Sequence, residues 1–271
     1  MTQHQKPPVC LTIAGLDPSG GAGVVADVRA FSAFGCFAAA AVSSVTFQNT
    51  TGVFGAVHQT AESVRQQVQP VIDDYELGAV KTGMLPTGEI IGEVARLIAD
   101  NALKNIVVDP VVRSTSGFDL IDDAALRILI EKLFPIAGLI TPNLAEAERI
   151  AQISIRSEAD IITAAAIMHG QGARNVLIKG GHLSEQVKSE KVEVKSARDF
   201  LFREGELTVF EAEFYETTAT HGTGCVLSSA IAANLALGRD LGESVQIAKD
   251  FVNHAIRTSP GLGRGNSPIN I

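Results

Sequence analysis

The chain of 271 residues has no tryptophan, and aromatics make up only 5% of it. Its core therefore has to be built from alanine, valine, leucine and isoleucine. Hydrophobic residues reach 46%, enough for a substantial core. Such a composition suits buried parallel strands flanked by helices. A basic excess is also missing. The net charge of −8 excludes a general nucleic-acid binder, which needs a basic face. A phosphate ligand stays open, because a nest of backbone N–H groups holds one without net positive charge. Cysteine is scarce. Cys10, Cys36 and Cys225 are odd in number, far apart in the chain and without metal-ligand spacing. They argue for a reducing compartment. Residues 1–8 form a short polar tail without the apolar stretch of a signal peptide. From Ala30 to Gln59 there is no Asp, Glu, Lys or Arg. Ser32, Gly35, Ser43, Ser44, Thr46, Gln48 and Asn49 interrupt this run. It reads as a helix end, a turn and a buried strand, since a membrane span needs about 20 predominantly apolar residues.

What is present is a repeated alternation of short apolar strands and helices. Val9–Ala14 is a strand ending at Gly15, followed by the turn-rich loop Leu16–Gly23 and a helix near Val24–Phe34. Phe37–Phe47 is the next strand. Helices near Ala61–Tyr75, Glu89–Asn101, Asp123–Phe134 and Glu158–Gly170 each lead into an apolar strand. Those strands end at Thr82-Gly83, Asp109-Pro110, Thr141-Pro142-Asn143 and Lys179-Gly180. The pattern predicts a mostly parallel sheet covered on both faces. In such sheets the ligand lies beyond the carboxyl ends of the strands. Residues 184–196 break the pattern, being dense in Lys and Glu, and read as a solvated loop. Asp199–Phe210 reads as a hairpin, and the last helices run over Thr223–Leu237 and Gly242–Thr258. No repeat or linker divides the chain. It reads as a tail (1–8) and a single domain (9–271) that includes the charged loop and hairpin of 184–210.

Chemistry concentrates at the strand ends. Thr220-His221-Gly222-Thr223-Gly224-Cys225 precedes an apolar helix. Unpaired first-turn amides and the helix dipole favour an anion there, and the same field is expected to ease ionisation of the Cys225 thiol. The thiol could accept a proton from an alcohol, act covalently with His221, or be a small buried hydrophobe. Asp17–Gly23 is glycine-rich but has neither G-x-G-x-x-G nor Gly-Lys-Ser/Thr spacing, so neither phosphate motif fits. The Gln48 amide offers a donor and an acceptor side by side, complementary to an aminopyrimidine edge, or it pairs with loop backbone. Asp109, Asn143 and Glu146 are hard oxygen donors suited to Mg²⁺ through water and phosphates. Asn143 and Glu146 also have the spacing of a capping box, and the two roles are compatible. Lys179 before two glycines can reach a phosphate as a point charge, or is a surface lysine before a turn.

Taken in order, Gly15-x-Asp17-Pro18-Ser19-Gly20-Gly21-Ala22-Gly23-x-x-Ala26-Asp27, Gln48-Asn49-Thr50, Lys81-x-Gly83-Met84-Leu85, Asp109-Pro110-Val111, Thr115-Ser116-Gly117, Thr141-Pro142-Asn143-x-x-Glu146, Lys179-Gly180-Gly181-His182 and His221–Cys225 form a recognisable set. Over about residues 9–260 the chain resembles the hydroxymethylpyrimidine/phosphomethylpyrimidine kinases of thiamine biosynthesis. Each motif alone is modest, and the ordered set is specific. The resemblance implies a ribokinase-like three-layer α/β/α fold, ATP and Mg²⁺. It implies phosphorylation of 4-amino-5-hydroxymethyl-2-methylpyrimidine and then of its monophosphate. It puts Gln48 on the aminopyrimidine, with Gly15, Asp27, Met84 and Val111 shaping that pocket. Asp109 and Glu146 serve Mg²⁺ and phosphate. Lys179, with Asn143 and Glu146, serves ATP. Gly222, Thr223 and Gly224 form the anion hole, and Cys225 stands where sugar kinases of this fold carry an Asp base. A cytoplasmic homodimer with small-molecule substrates, and neither nucleic acid nor membrane as partner, is implied too. A pyridoxal kinase of the same superfamily is the nearest alternative, followed by a nucleotide-binding regulator without turnover. Two features depart from the family pattern: Arg113, where apolar residues are usual, and the length of the 184–196 segment.

Overall fold

The computed structural model describes residues 6–113, 119–180 and 196–271. Thr115-Ser116-Gly117, Gly181-His182 and the charged segment up to residue 195 lie outside the described residues. The first half of the chain runs β1 (Val9–Leu16), α1 (Gly23–Ala33), β2 (Phe37–Asn49), β3 (Gly52–His58), α2 (Ala61–Asp74), β4 (Leu77–Thr82), α3 (Gly88–Asp100) and β5 (Ile106–Val108). The second half runs α4 (Asp123–Leu133), β6 (Leu139–Ile140), α5 (Leu144–Ala151), α6 (Glu158–Gly170), β7 (Asn175–Lys179), β8 (Ser196–Arg203), β9 (Glu206–Glu213), α7 (Thr223–Ala236) and α8 (Leu241–Arg257). The nine strands form one sheet in the order β3-β2-β1-β4-β5-β6-β7-β8-β9. From β2 to β7 the pairing is parallel. β3 and the β8–β9 hairpin add antiparallel edges.

Alternation along each strand feeds two cores. Leu11, Val80, Ile106, Val108, Ile140, Val176 and Ile178 pack against Val64, Ile91, Val94, Leu129, Ile150 and Ile161 of α2–α6. The intervening Cys10, Ala79, Val107, Leu139 and Leu177 pack against Phe31, Val226, Ile231, Val245 and Ala248 of α1, α7 and α8. Apolar residues on both faces of a strand are what a sheet between two helical layers requires. The three layers and the mostly parallel sheet agree with the α/β expectation. Cys10 and Cys36, distant in sequence, are both buried in the second core, where the Cys36 thiol donates to Ala233 O at 3.7 Å. The uncharged run from Ala30 resolves into the end of α1, a turn, β2 and β3. Among the described residues no helix is long and apolar enough to cross a membrane.

The chain moves from β1 outward to β2 and β3, then returns to place β4 on the other side of β1. Strand order therefore reverses between β1 and β4, which opens a crevice at their carboxyl ends. Helix capping marks the same place. Thr60, Thr87, Asp122, Asn143, Ser157 and Asp240 cap α2, α3, α4, α5, α6 and α8 with side-chain oxygens. In α1 and α7 the caps are Ala22 and Gly222, which give no side-chain cap. Those two helix starts face the crevice with no side chain over their amide ends, and in α7 the Thr223 amide turns back to Thr220 O at 3.4 Å, which leaves the Gly224 and Cys225 amides for a ligand.

Candidate active site

The crevice is a cavity of about 870 Å³ at the carboxyl ends of the strands. Gly15, Gln48, Met84, Asp109, Val111, Asn143, Glu146, Lys179, Gly222, Thr223, Gly224 and Cys225 all line it. Of the site residues expected from sequence, Asp27 alone does not. Asp27 is fully buried beneath the floor, where Lys81 Nζ donates to its two oxygens at 2.9 and 2.8 Å. The Thr12 and Ser229 hydroxyls donate to the same carboxylate at 2.6 and 2.7 Å. The expected role of Asp27 in shaping the ring pocket is thus corrected. It holds Lys81, and Lys81 reaches the cavity wall. A carboxylate with no solvent access needs such a full set of donors.

The anion loop owes its shape to glycine. Gly222 has φ 83°, and a Cβ there would stand 1.8 Å from Gly21 O. Only glycine permits this contact between the two uncapped helix starts. Lys179 Nζ comes to 3.0 Å from the position a Cβ would take on Gly224, so a fixed cation adjoins the open amides. The thiol departs from expectation. Burial pushes the Cys225 thiol up to about 11, and the carboxylates of Asp27 and Asp109 push the same way. Lys81 and the Gly23 backbone pull it down without overcoming burial. At a shielded cavity floor desolvation outweighs the helix-terminus field. Cys225 is a neutral thiol at rest, not an eased thiolate. His221 is committed elsewhere, to Asp17 at 2.7 Å.

Opposite the loop, carboxylates and lysine interlock. Lys179 Nζ donates to Asp109 Oδ1 at 2.8 Å, and the Thr141 hydroxyl donates to the same oxygen at 3.2 Å. Burial works against the charge on Asp109, yet Lys179 and Lys81 hold its carboxyl below the usual carboxylate range. Glu146 Oε2 accepts from the Asn143 amide at 2.8 Å, and Asn143 Oδ1 accepts from the Glu146 amide at 2.9 Å. This is a complete capping box. Glu146 Oε1 also accepts from the Val112 amide at 3.3 Å. Burial, with Asp109 nearby, pushes the Glu146 carboxyl up to about 7 against the pull of Lys179 and these amides. Among the described residues no group of three or more His, Cys, Asp or Glu is placed to hold a metal ion. With their oxygens already engaged, Asp109 and Glu146 fit a hydrated Mg²⁺ carried on phosphates and do not form an all-protein cage. Arg113, at the cavity rim, pairs with Asp119 at 2.8 Å, with both side chains more than half exposed.

On the β1–β2 side, Gln48 stands between Thr46 and His221. Met84 packs against Gly15, where an added Cβ would come within 3.0 Å of its sulfur. Sequence reasoning quoted Lys81, Asp17 and His221 within motifs but gave the first two no role. A charged residue inside an otherwise apolar strand was the available signal for Lys81. Asp199 and Lys249 were missed. They form a buried pair at 2.6 Å, and Asp199 also accepts from the amide of Gly180, next to Lys179.

Comparison with known proteins agrees with this geometry. A family model described as phosphomethylpyrimidine kinase matches residues 17–270. A hydroxymethylpyrimidine/phosphomethylpyrimidine kinase of Staphylococcus aureus (strain MRSA252) is 38% identical over 266 residues, 98% of this chain and 94% of that protein. Its counterpart in Haemophilus influenzae is 38% identical, over 96% of this chain and 95% of that one. Among solved structures, an ADP complex of Bacillus subtilis pyridoxal kinase matches with a TM-score of 0.86 at 34% identity, covering 98% of this chain and 97% of that one. A phosphomethylpyrimidine kinase from Clostridium difficile 630 matches with a TM-score of 0.78 at 36% identity, covering 92% and 99%. The fold is ribokinase-like, the chain is a phosphotransferase, and it belongs to the phosphomethylpyrimidine kinase family.

Proposed function

We propose that this enzyme transfers the γ-phosphoryl group of ATP to the hydroxyl of 4-amino-5-hydroxymethyl-2-methylpyrimidine, and then phosphorylates the monophosphate, in thiamine biosynthesis. The observation that carries this reading is the convergence, in one cavity, of an amide side chain (Gln48), two helix starts without side-chain caps, a buried lysine (Lys81) and a partly buried one (Lys179). Gln48 binds the aminopyrimidine edge, with Gly15, Met84 and Val111 shaping the ring pocket. The amides of Gly224 and Cys225 receive the transferring phosphoryl oxygens, and Lys179 adds a fixed charge to them. Preorganised donors of this kind are worth about 10²–10³ in kcat each. Asp109, Glu146 and Asn143 would hold a hydrated Mg²⁺ brought with the nucleotide. When bound, that ion supplies neutralising charge. The hydroxymethyl oxygen bonds to the γ-phosphorus, the bond to the ADP oxygen breaks, and the hydroxyl proton passes to Cys225 in its thiolate form, which becomes the thiol. Phosphoryl transfer depends mainly on positioning and electrostatics, so a base that is rarely ionised suffices.

The same reading takes residues 9–271 as one kinase domain, because a single sheet runs from Val9 to Glu213 and the last two helices pack on it. It also takes the enzyme as a cytoplasmic homodimer. Free thiols suit that compartment. Phe47, Phe54 and Val57, each more than half exposed on β2–β3, offer a surface for a second copy. Light scattering on the purified chain, expected to give twice the monomer mass, checks the dimer.

A second reading, pyridoxal phosphorylation, is favoured by the high structural similarity to proteins named pyridoxal kinase. ATP consumption measured with each alcohol separates the two. A larger kcat/KM for the pyrimidine supports the proposal, and a much larger one for pyridoxal overturns it. Nucleotide binding without turnover on either alcohol would leave only a regulatory role.

A further inference from the structure

Asp17 and His221 form a buried acid–imidazole pair beside Gln48, with 3% and 6% exposure. Asp17 Oδ1 accepts from the Ser19 amide at 2.8 Å and the Ser19 hydroxyl at 2.7 Å. Oδ2 accepts from the Ala22 amide at 3.0 Å and lies 2.7 Å from His221 Nε2. Burial works against this carboxylate, yet the bonds from His221 and Ser19 hold it below the usual range. An ionised carboxylate only accepts, so the hydrogen between the pair sits on Nε2. The ring is also fixed in place. A Cβ on Gly21 would stand 2.2 Å from His221 Cδ2, so the imidazole fills the space that this glycine leaves.

Gln48 is placed with Nε2 3.4 Å from His221 Nε2 and Oε1 3.1 Å from Thr46 Oγ1. That sets donor against donor. A half-turn about the last side-chain bond leaves the shape unchanged, so the network decides the orientation. The His221 Nε2–H is given to Asp17 and makes no second full bond, but its positive end repels the Gln48 NH₂ group and favours the carbonyl oxygen on that side. Thr46 has one hydroxyl hydrogen and lies 2.9 Å from Leu16 O, which only accepts. Thr46 Oγ1 is then an acceptor, and it calls for the NH₂ group. Thr46 imposes the order by bonding and His221 favours the same one by its charge distribution.

We infer that Asp17, His221 and Thr46 are positioning residues that lock Gln48 with its oxygen towards His221 and its NH₂ towards Thr46, so that the site accepts donor and acceptor on a ring edge in one order only. The inference rests on Gln48 as the ring reader. An aminopyrimidine edge offers an exocyclic N–H donor beside a ring-nitrogen acceptor. The locked amide seats the amino group on the His221 side. In 4-amino-5-hydroxymethyl-2-methylpyrimidine the hydroxymethyl group is on the carbon next to the one bearing the amino group. This order therefore turns the reacting hydroxyl towards the loop that runs from His221 to Cys225. The 4-oxo analogue presents acceptor and ring N–H in the reverse order and meets a mismatch at both positions.

The test is kcat/KM with Mg-ATP for the 4-amino alcohol and its 4-oxo analogue, in wild type, His221→Phe, Thr46→Val and Gln48→Ala. Wild type is expected to favour the amino compound by about 100-fold or more, as sites built to pair a polar edge do. His221→Phe keeps a ring against Gly21 but removes the N–H. Thr46→Val leaves the loop untouched, so a folding defect in the first variant does not decide the outcome. Both should lower the amino/oxo ratio at least tenfold, because a freed Gln48 turns to suit either edge. Gln48→Ala should abolish the preference. A ratio unchanged in the folded His221 and Thr46 variants, including an equal loss on both compounds, overturns the inference while leaving Gln48 as the reader. A ratio preserved in Gln48→Ala shows instead that the proposed ring recognition is wrong.

Discussion

Cys225 carries the prediction that separates the sequence expectation from the structure most cleanly. A thiol eased by a helix start would be largely ionised near neutrality, and turnover would be flat above about pH 7. In the structure burial pushes the thiol to about 11, so the base form is scarce and grows as pH rises. For a group with that pKa, about one molecule in 10³–10⁴ is a thiolate near pH 7.5, and the fraction increases about tenfold per pH unit. If the thiolate accepts the hydroxyl proton, the chemical step should climb by close to that factor per unit between about pH 7 and pH 9. Single-turnover quench-flow with saturating Mg-ATP isolates that step from product release, which otherwise hides it. Replacing the thiol by a carboxylate, Cys225→Asp, should flatten the profile. Cys225→Ala should lower kcat far more than it weakens ATP binding. A flat wild-type profile, or wild-type turnover in Cys225→Ala, would refute the role of the thiol as proton acceptor.

Three further outcomes follow from the site. Lys81→Met leaves the Asp27 carboxylate buried without its cation; a loss of about 3–5 kcal/mol in urea unfolding is expected, partly recovered in the Asp27→Leu/Lys81→Met double variant, and a loss under about 1 kcal/mol would contradict the buried pair. Gly222→Ala forces a Cβ against Gly21 O, and kcat should fall by about 10² or more, the scale of a lost oxyanion donor, whereas normal kcat would show that the loop does not serve the phosphoryl group. Lys179→Met removes a charge-assisted contact of about 1.5–3 kcal/mol, so kcat/KM for ATP should drop by about 10–100-fold, and an unchanged value would mean that the lysine only partners Asp109.

Periodicity made most of the fold legible. Apolar strands ending in glycine or polar residues alternate with helices, and α6 runs over Glu158–Gly170 as read from the sequence. The edge strand β3 was not found. Gly52–His58 is short, half-exposed and stabilised by pairing with β2 alone, so it carries little core signal. Strand-end reasoning located the cavity wall well because side chains there have few places to go except the crevice. It failed for Asp27, whose helix position placed it near the loop while its partners lie below the floor. The roles of Lys81 and Lys249 were hidden for a related reason. A buried lysine is defined by the carboxylate that it meets across the fold, and sequence spacing does not display that meeting. Cys225 shows the same limit in reverse. Its helix-terminus field is local and readable, whereas the desolvation that outweighs it comes from packing between distant segments.

The central claim is that one cavity phosphorylates a pyrimidine alcohol. Mass analysis of the products formed from 4-amino-5-hydroxymethyl-2-methylpyrimidine and Mg-ATP tests it most directly. The account predicts a species with one added phosphoryl group, followed by one with two. Recovery of the alcohol unchanged, with folded enzyme and intact ATP, would contradict it.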